Sequence, residues 1–524
     1  MRCRASKDAK TLKSAIRAQA TCNTSKLRLP PPFFSNQFGS SSAKNALGKD
    51  LRIIPPIFNL YKIIFGGFNH QMDRAYTRPL QNWYQKKRRK PLIIRGARQV
   101  GKSTLVRQFA KSSKLKLFEV NLERHPNLRA AAASLDPAKI LREVEFICEK
   151  GPFDPASALL FFDEIQETPV LLQALRYFYE DYPNLPVIAA GSLLEFTLRD
   201  HSFPMPVGRA EYFHMGPVSW EEFLAAKGAD DLVNLLQTYE LKDPFPLSAH
   251  DRFVALLRDY LLVGGMPEAV QLHLDGSGFD EVFEAQEFIY QTYRDDFSKY
   301  AHGAALLRLQ KVLDYLGQGA GKKIKYSNID THSQSREIKQ ALDLIIKAGL
   351  VLEARHSHGD GVPLSAQAVE KVFKLFCLDI GIYNRICRLN SLPDRALHDP
   401  HFVNQGALAE SFIAQQLNFG SSPARKPELF YWLREGRSNN AEVDFLIEVG
   451  QRVVPVEIKS GKGGSLRSLF QFAQAKGSPQ ACRFDLNPPS QQTIQHEMAN
   501  GPQEIQLLSL PLYFCQQAMR LLKN

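Results

Sequence analysis

Gly96-Ala97-Arg98-Gln99-Val100-Gly101-Lys102-Ser103 is a complete G-x-x-x-x-G-K-[ST] string. The apolar run Leu92-Ile93-Ile94 leads into it, and Thr104-Leu105-Val106-Arg107-Gln108-Phe109-Ala110 leads out in a helical pattern. A strand, a glycine-rich loop and a helix in that order is the setting in which this string cradles a triphosphate. Glycines let backbone N–H groups turn toward phosphate oxygens, and the helix N-terminus adds a partial positive charge. Read this way, residues 96–104, Thr104 included, bind ATP. Lys102 reaches the β- and γ-phosphates, and Ser103 holds Mg²⁺.

Sixty residues further on, Leu159-Leu160-Phe161-Phe162-Asp163-Glu164 reads as a buried strand ending in two carboxylates. Phosphoryl transfer needs positioning and charge stabilisation more than covalent chemistry. Asp163 is the expected Mg²⁺ ligand, and Glu164 the group that orients and deprotonates water. A third strand, Pro186-Val187-Ile188-Ala189-Ala190-Gly191, ends at Ser192. Two readings of Ser192 stand: a polar sensor beside the γ-phosphate, or an N-cap for a helix Leu193-Leu194-Glu195-Phe196. Arg209, after Gly208, is a candidate to stabilise transition-state charge, in cis or from a second copy of the chain. The alternative is an ordinary surface arginine.

These strings come in an order that resembles a family. Asp163-Glu164-Ile165-Gln166, Ala190-Gly191-Ser192, Gly208-Arg209 and Pro217-Val218-Ser219-Trp220-Glu221-Glu222-Phe223 follow the first loop. Gly264-Gly265-Met266-Pro267-Glu268 and Gly381-Ile382-Tyr383 come after them. The chain from about residue 72 to 475 is similar to prokaryotic AAA+-type ATPases with a C-terminal domain of unknown function and a nuclease-like core. The resemblance implies ATP binding and hydrolysis. It implies no particular substrate.

A chain of 524 residues has room for about three domains on a length prior of 100–200 residues each. The most apolar stretch, Ile53 to Phe65, is broken by prolines, Asn59 and Lys62, so no membrane span is expected. Seven scattered cysteines without C-x-x-C spacing point to reduced core thiols and a cytoplasmic location. Basicity is local. Residues 1–71 hold twelve of the 66 Lys and Arg and two of the 54 acids, which leaves 54 against 52 in the rest. Net charge is therefore no argument for nucleic-acid binding. The first segment, acid-poor with Pro30-Pro31-Pro32 and Ser40-Ser41-Ser42, reads as a disordered extension. It is either a targeting peptide or sequence upstream of a start at Met72, and the second reading is preferred. Lys86-Lys87-Arg88-Arg89-Lys90 is a solvated helix end or a phosphate-backbone contact.

The fold class expected is α/β: an AAA+-like P-loop NTPase parallel sheet over 72–225 and a helical lid over 226–300. A winged helix over 301–360 and a mixed α/β restriction-endonuclease-like domain over 361–524 follow. In the winged helix, Lys322, Lys323, Lys325, Arg336, Lys339 and Lys347 are candidates to face DNA. The last domain carries Glu410 in an apolar helix, then Asp444, and then Glu457-Ile458-Lys459 across a strand pair turned at Gly450-Gln451. Side chains 457 and 459 share a strand face. This matches a PD-(D/E)xK pattern, except that Val443 stands before Asp444. Glu410, Asp444, Glu457 and Lys459 are candidate nuclease residues, with Asp444 and Glu457 as a second Mg²⁺ site. Three functions remain open: a nucleotide-driven switch, an ATP-regulated DNA endonuclease, and a non-cleaving recruitment ATPase. ATP and Mg²⁺ are the expected cofactors. DNA and a second copy of the chain are candidate partners.

Overall fold

The computed structural model describes residues 72–192, 194, 208–299, 301–388, 406–434, 440–459, 466–498 and 501–523. The reading of 1–71 and most of the helix expected at 193–196 lie outside them. Five parallel strands form the first sheet: β1 (Leu92–Arg95), β2 (Lys116–Asn121), β3 (Ala158–Asp163), β4 (Val187–Gly191) and β5 (Glu211–His214). Their order is β2-β3-β4-β1-β5. β3 is buried along its whole length, as a central parallel strand covered on both faces must be.

Alternation divides the two faces. Ile94, Leu159, Phe161 and Ile188 pack with Leu105, Val106 and Phe109 of the helix Lys102–Ser112. Ile93, Leu160, Phe162 and Val187 pack on the other side, against the helices Leu128–Ala133, Pro137–Cys148 and Val170–Asp181. Each fully buried aromatic contributes about 2–3 kcal/mol from water exclusion. Because β4 separates β1 from β3, the glycine-rich loop and the paired acids emerge on either side of Ser192. All three lie at the carboxyl edge, where open parallel sheets bind ligands.

Beyond β5 come the helices Trp220–Ala226, Asp230–Thr238, Leu247–Val263, Pro267–Leu274 and Phe279–Phe297. Ala304–Gly319, Tyr326–Ile329 and Ser335–Lys347 follow, and then the antiparallel pair β6 (Val351–Ser357) and β7 (Ala368–Cys377). Residue 360 falls in the connection between these two strands. β6 also pairs in parallel with β8 (Leu429–Arg434), so the hairpin belongs to the C-terminal sheet. That sheet continues through β9 (Ala441–Val449), β10 (Arg452–Ile458), β11 (Gln480–Asp485), β12 (Ser490–Met498) and β13 (Gly501–Pro511), eight strands in all. The helix Gly406–Phe419 packs on β6, β7, β8 and β10, and Arg467–Lys476 on β9, β10, β11 and β13.

The first sheet and the last are joined by buried polar groups. His214 N–H, at the end of β5, donates to Pro423 O at 2.7 Å, and Trp220 N–H donates to Gln416 Oε1 at 2.9 Å. The tail closes over the lid helices. Arg520 donates to Leu236 O and Tyr239 O, the Tyr513 hydroxyl meets His250 Nδ1 at 2.7 Å, and the Tyr513 ring stacks on Phe253 at 4.4 Å. Among the described residues, no helix is long and apolar enough to cross a membrane. Of the described cysteines, Cys377, Cys482 and Cys515 are buried and none is paired.

Candidate functional site

Three positive-φ positions, Gly96 among them, shape the loop after β1. Gln99 sits at φ 61° and Gly101 at φ 93°, a curl that turns successive N–H groups inward as an anion nest. Gly96 is required sterically, because a Cβ there would come within 2.3 Å of Met215 O. Lys102 is buried, and its ammonium donates back to Gly96 O at 3.1 Å and Ala97 O at 2.8 Å. Burial pushes its pKa down to about 8, with Glu164 and Asp163 opposing the shift.

Across the edge, Ser103 Oγ donates to Asp163 Oδ2 at 2.7 Å. Burial raises the Asp163 carboxyl above its usual range. A hydroxyl and a carboxylate are the hard oxygens Mg²⁺ prefers, so these residues fit the expected metal. Glu164 adopts φ 54°, which turns its side chain out of the strand alternation. Its Oε2 accepts from Gln166 Nε2 at 2.6 Å and Ser192 Oγ at 3.3 Å. Gln166 was not foreseen as a site residue, although it lies in the quoted Asp-Glu-Ile-Gln string. Its room is provided by Gly191, where a Cβ would stand 2.5 Å from Gln166 Oε1.

These groups line an open cleft of about 490 Å³ whose far wall is Pro267, Glu268 and Thr292. A mainly apolar pocket of about 270 Å³ adjoins it, between Met72, Leu105, Gln108 and Gln271, and shares Gly101, Thr104, Pro267 and Glu268 with the cleft. Buried Arg74 supports the loop from below. It donates to Val100 O at 2.8 Å and pairs with Glu222 at 2.9 Å. Arg98, inside the loop, pairs with Asp296 at 2.9 Å, and the Tyr293 hydroxyl donates to Arg98 O. The helix Phe279–Phe297 thus holds the loop at two points. Gly349, just after the helix Ser335–Lys347, lies so close that a Cβ would be 3.3 Å from Ala97 Cβ.

Arg209 does not line the cleft: its side chain is 44% exposed and pairs with Glu180 at 3.1 Å, beside Arg176. Part of the basic run is also consumed internally. Lys86 pairs with Glu211, and Arg89 donates to Tyr84 O and Asn184 O.

A buried polar hub lies at the C-terminal end of the helix Leu247–Val263. Asp379 accepts from Gly265 N–H at 2.5 Å, Gly381 N–H at 3.0 Å, Ile382 N–H at 3.2 Å and Gln415 Nε2 at 3.2 Å. Burial still pushes its pKa up to about 6. Gln415 and Gln416 both donate to the Tyr260 hydroxyl, which donates to Val218 O.

The second constellation is gathered in the C-terminal sheet, with an addition. Asp444 Oδ2 accepts from Ile458 N–H at 2.7 Å, Lys459 pairs with Glu457, and Glu410 faces them from its helix. Burial first, and Asp444 second, push Glu410 up to about 8 and Glu457 up to about 7. The addition is Lys374 of β7, buried and paired with Glu442. The second Mg²⁺ expected at Asp444 and Glu457 does not fit. A lysine already stands among the carboxylates, and no three acidic, His or Cys side chains among the described residues converge as metal ligands.

Residues 88–224 match a family model described as an AAA domain. Residues 254–392 and 405–511 match two models described as domains of unknown function, DUF8612 and DUF4143. No curated protein matches the chain. Among solved structures, the ORC2 protein of Aeropyrum pernix in ADPNP–ADP complexes is 13% identical. That match covers 61% of this chain and 96% of that one, with a TM-score of 0.31. The Thermotoga maritima RuvB Holliday junction branch migration motor is 13% identical over 53% and 89% of the two chains, with a TM-score of 0.26. C. elegans PCH-2 is 11% identical over 40% and 63%, with a TM-score of 0.25. The first sheet and most of its surrounding helices fall within the residues that are similar to an AAA domain.

Proposed function

We propose that the chain binds ATP with Mg²⁺ in the cleft between residues 96–104 and Asp163-Glu164, and hydrolyses it. The supporting observation is the convergence of Lys102, Ser103–Asp163 and Glu164–Ser192 at the carboxyl ends of three neighbouring strands. Lys102 exchanges its two loop carbonyls for β- and γ-phosphate oxygens. Glu164, oriented by Gln166 and Ser192, takes the proton of the attacking water. Magnesium, held by Ser103 and Asp163, offsets phosphate charge when bound. The apolar pocket beside Leu105 and Pro267 takes the base.

Proton linkage tests this site. Lys102 loses its proton above about pH 8 in the free protein, while phosphates favour the charged form. Affinity for Mg-ATP should therefore hold steady below that pH and weaken above it, by roughly 25-fold between pH 7.5 and 9.5. Calorimetry with the full chain measures this. No binding heat at either pH ends the reading.

A winged-helix unit contacting DNA is the second proposal. Its support is three helices followed by a hairpin, with a backbone bridge from Lys323 to Lys374 and exposed Arg336 and Lys339 on the third helix. The contacts of Gly349 and Asp296 with the glycine-rich loop offer a route from nucleotide to this unit. Duplex DNA should then raise the rate of ATP hydrolysis at low salt. An unchanged rate, read by phosphate release, argues for recruitment without DNA. The order helix 406–419, β8, β9, β10, helix 467–476, β11 supports a nuclease-like fold for the last domain.

A further inference from the structure

Glu410, Glu442, Asp444 and Glu457 of the C-terminal sheet and its helix lie within one another's fields, and a lysine from another part of the chain stands beside them. Lys374 comes from β7, the outer strand of the hairpin that follows the three-helix unit. It has no exposed surface. Its ammonium pairs with Glu442, lies within the fields of Asp444 and Glu410, and stands 4.9 Å from the Tyr431 ring centre.

Two of the carboxylate oxygens near Lys374 already accept hydrogen bonds. Asp444 Oδ2 holds Ile458 N–H, and Glu457 Oε1 holds Lys459. Glu410 Oε2 lies beside Gly321, where an added Cβ would stand 2.4 Å from it. Glu457 Oε2 has no hydrogen-bond partner, but among the described residues no three acidic, His or Cys side chains converge into the set that Mg²⁺ demands. An ion entering here would also meet the like charge of Lys374 in a medium that screens poorly.

We propose that Lys374 is the resident cation of this cluster, standing where metal-dependent phosphodiester cleavage would place its divalent ion. The cluster then works as an ionic clasp. It fastens the hairpin of the three-helix unit to β9 and to the helix Gly406–Phe419, and it does not cut DNA. Asp444 and Glu410 add to the negative field that, with Glu442, holds the buried Lys374 charge.

The test is Mn²⁺ titration of the full chain without nucleotide, in an Asp163→Asn background that silences the first site. Free Mn²⁺ is followed by electron paramagnetic resonance. The expected result is no site of submillimolar affinity that depends on Asp444, so that adding Asp444→Asn changes nothing. Lys374→Met should create one such site, and Asp444→Asn should remove it. A wild-type Lys374 protein with an Asp444-dependent Mn²⁺ site would overturn the proposal. A folded Lys374→Met protein that gains no site would overturn it equally. If Lys374→Met does not fold, the comparison made with Lys374 intact decides.

Discussion

Glu164→Gln should leave ATP bound and slow its hydrolysis by roughly a hundredfold to ten-thousandfold, the range expected when a positioned general base is lost. The amide matches the carboxylate in shape and can still accept from Gln166 and Ser192, so the cleft should keep its form. It cannot take a proton from water. Labelled ATP should therefore co-elute with the variant on gel filtration, unhydrolysed, after the wild type has released phosphate. Lys102→Ala should behave differently and lose ATP retention altogether, because the charge that meets the phosphates is gone. Normal phosphate release from Glu164→Gln would move the base to another residue and leave the binding site standing. The pair of variants separates binding from chemistry.

Asp379→Ala should cost about 3–5 kcal/mol, the range for stripping one partner from a buried charged network. Four donors lose their acceptor at once: the N–H groups of Gly265, Gly381 and Ile382, and the amide of Gln415. The same side chain caps the helix Ile380–Ile386, a role worth about 1 kcal/mol by itself. Calorimetric melting should show the unfolding transition lowered by several degrees, with the lid and C-terminal sheet affected together. Asp379→Asn should fall between, since an amide nitrogen would then face N–H donors. An Asp379→Ala protein as stable as the wild type would mean that water or a rearranged backbone replaces the carboxylate.

What could be read from the chain depended on how local the information was. The P-loop strand, loop and helix are contiguous, and their chemistry is fixed by eight residues. β3 could be placed because an unbroken apolar run ending in two acids has few other uses. The surroundings of Arg209 are not legible in the sequence, because they are set by Glu180 on a separate helix, which no spacing reveals. Lys374 was passed over for the same reason. In Val372-Phe373-Lys374-Leu375 it looks like a solvated strand residue, and its partners Glu442 and Asp444 lie about seventy positions away. The hub was equally silent, since adjacent glutamines 415 and 416 in an apolar helix carry no motif. The expected wing strand corresponds to β6, but its pairing with β8 depends on a segment not yet reached when the hairpin is read.

The tail segment that seats Tyr513, Phe514 and Arg520 on the lid has a consequence for how the molecule is made. Its contacts reach back across 263 to 284 positions of chain. The aromatic surface around Tyr239, Phe245 and Phe253 thus emerges from the ribosome long before its cover exists. Such late-closing contacts slow folding, and exposed apolar surface is sticky in the interval. A stop codon before Tyr513 would leave that surface bare for the life of the polypeptide.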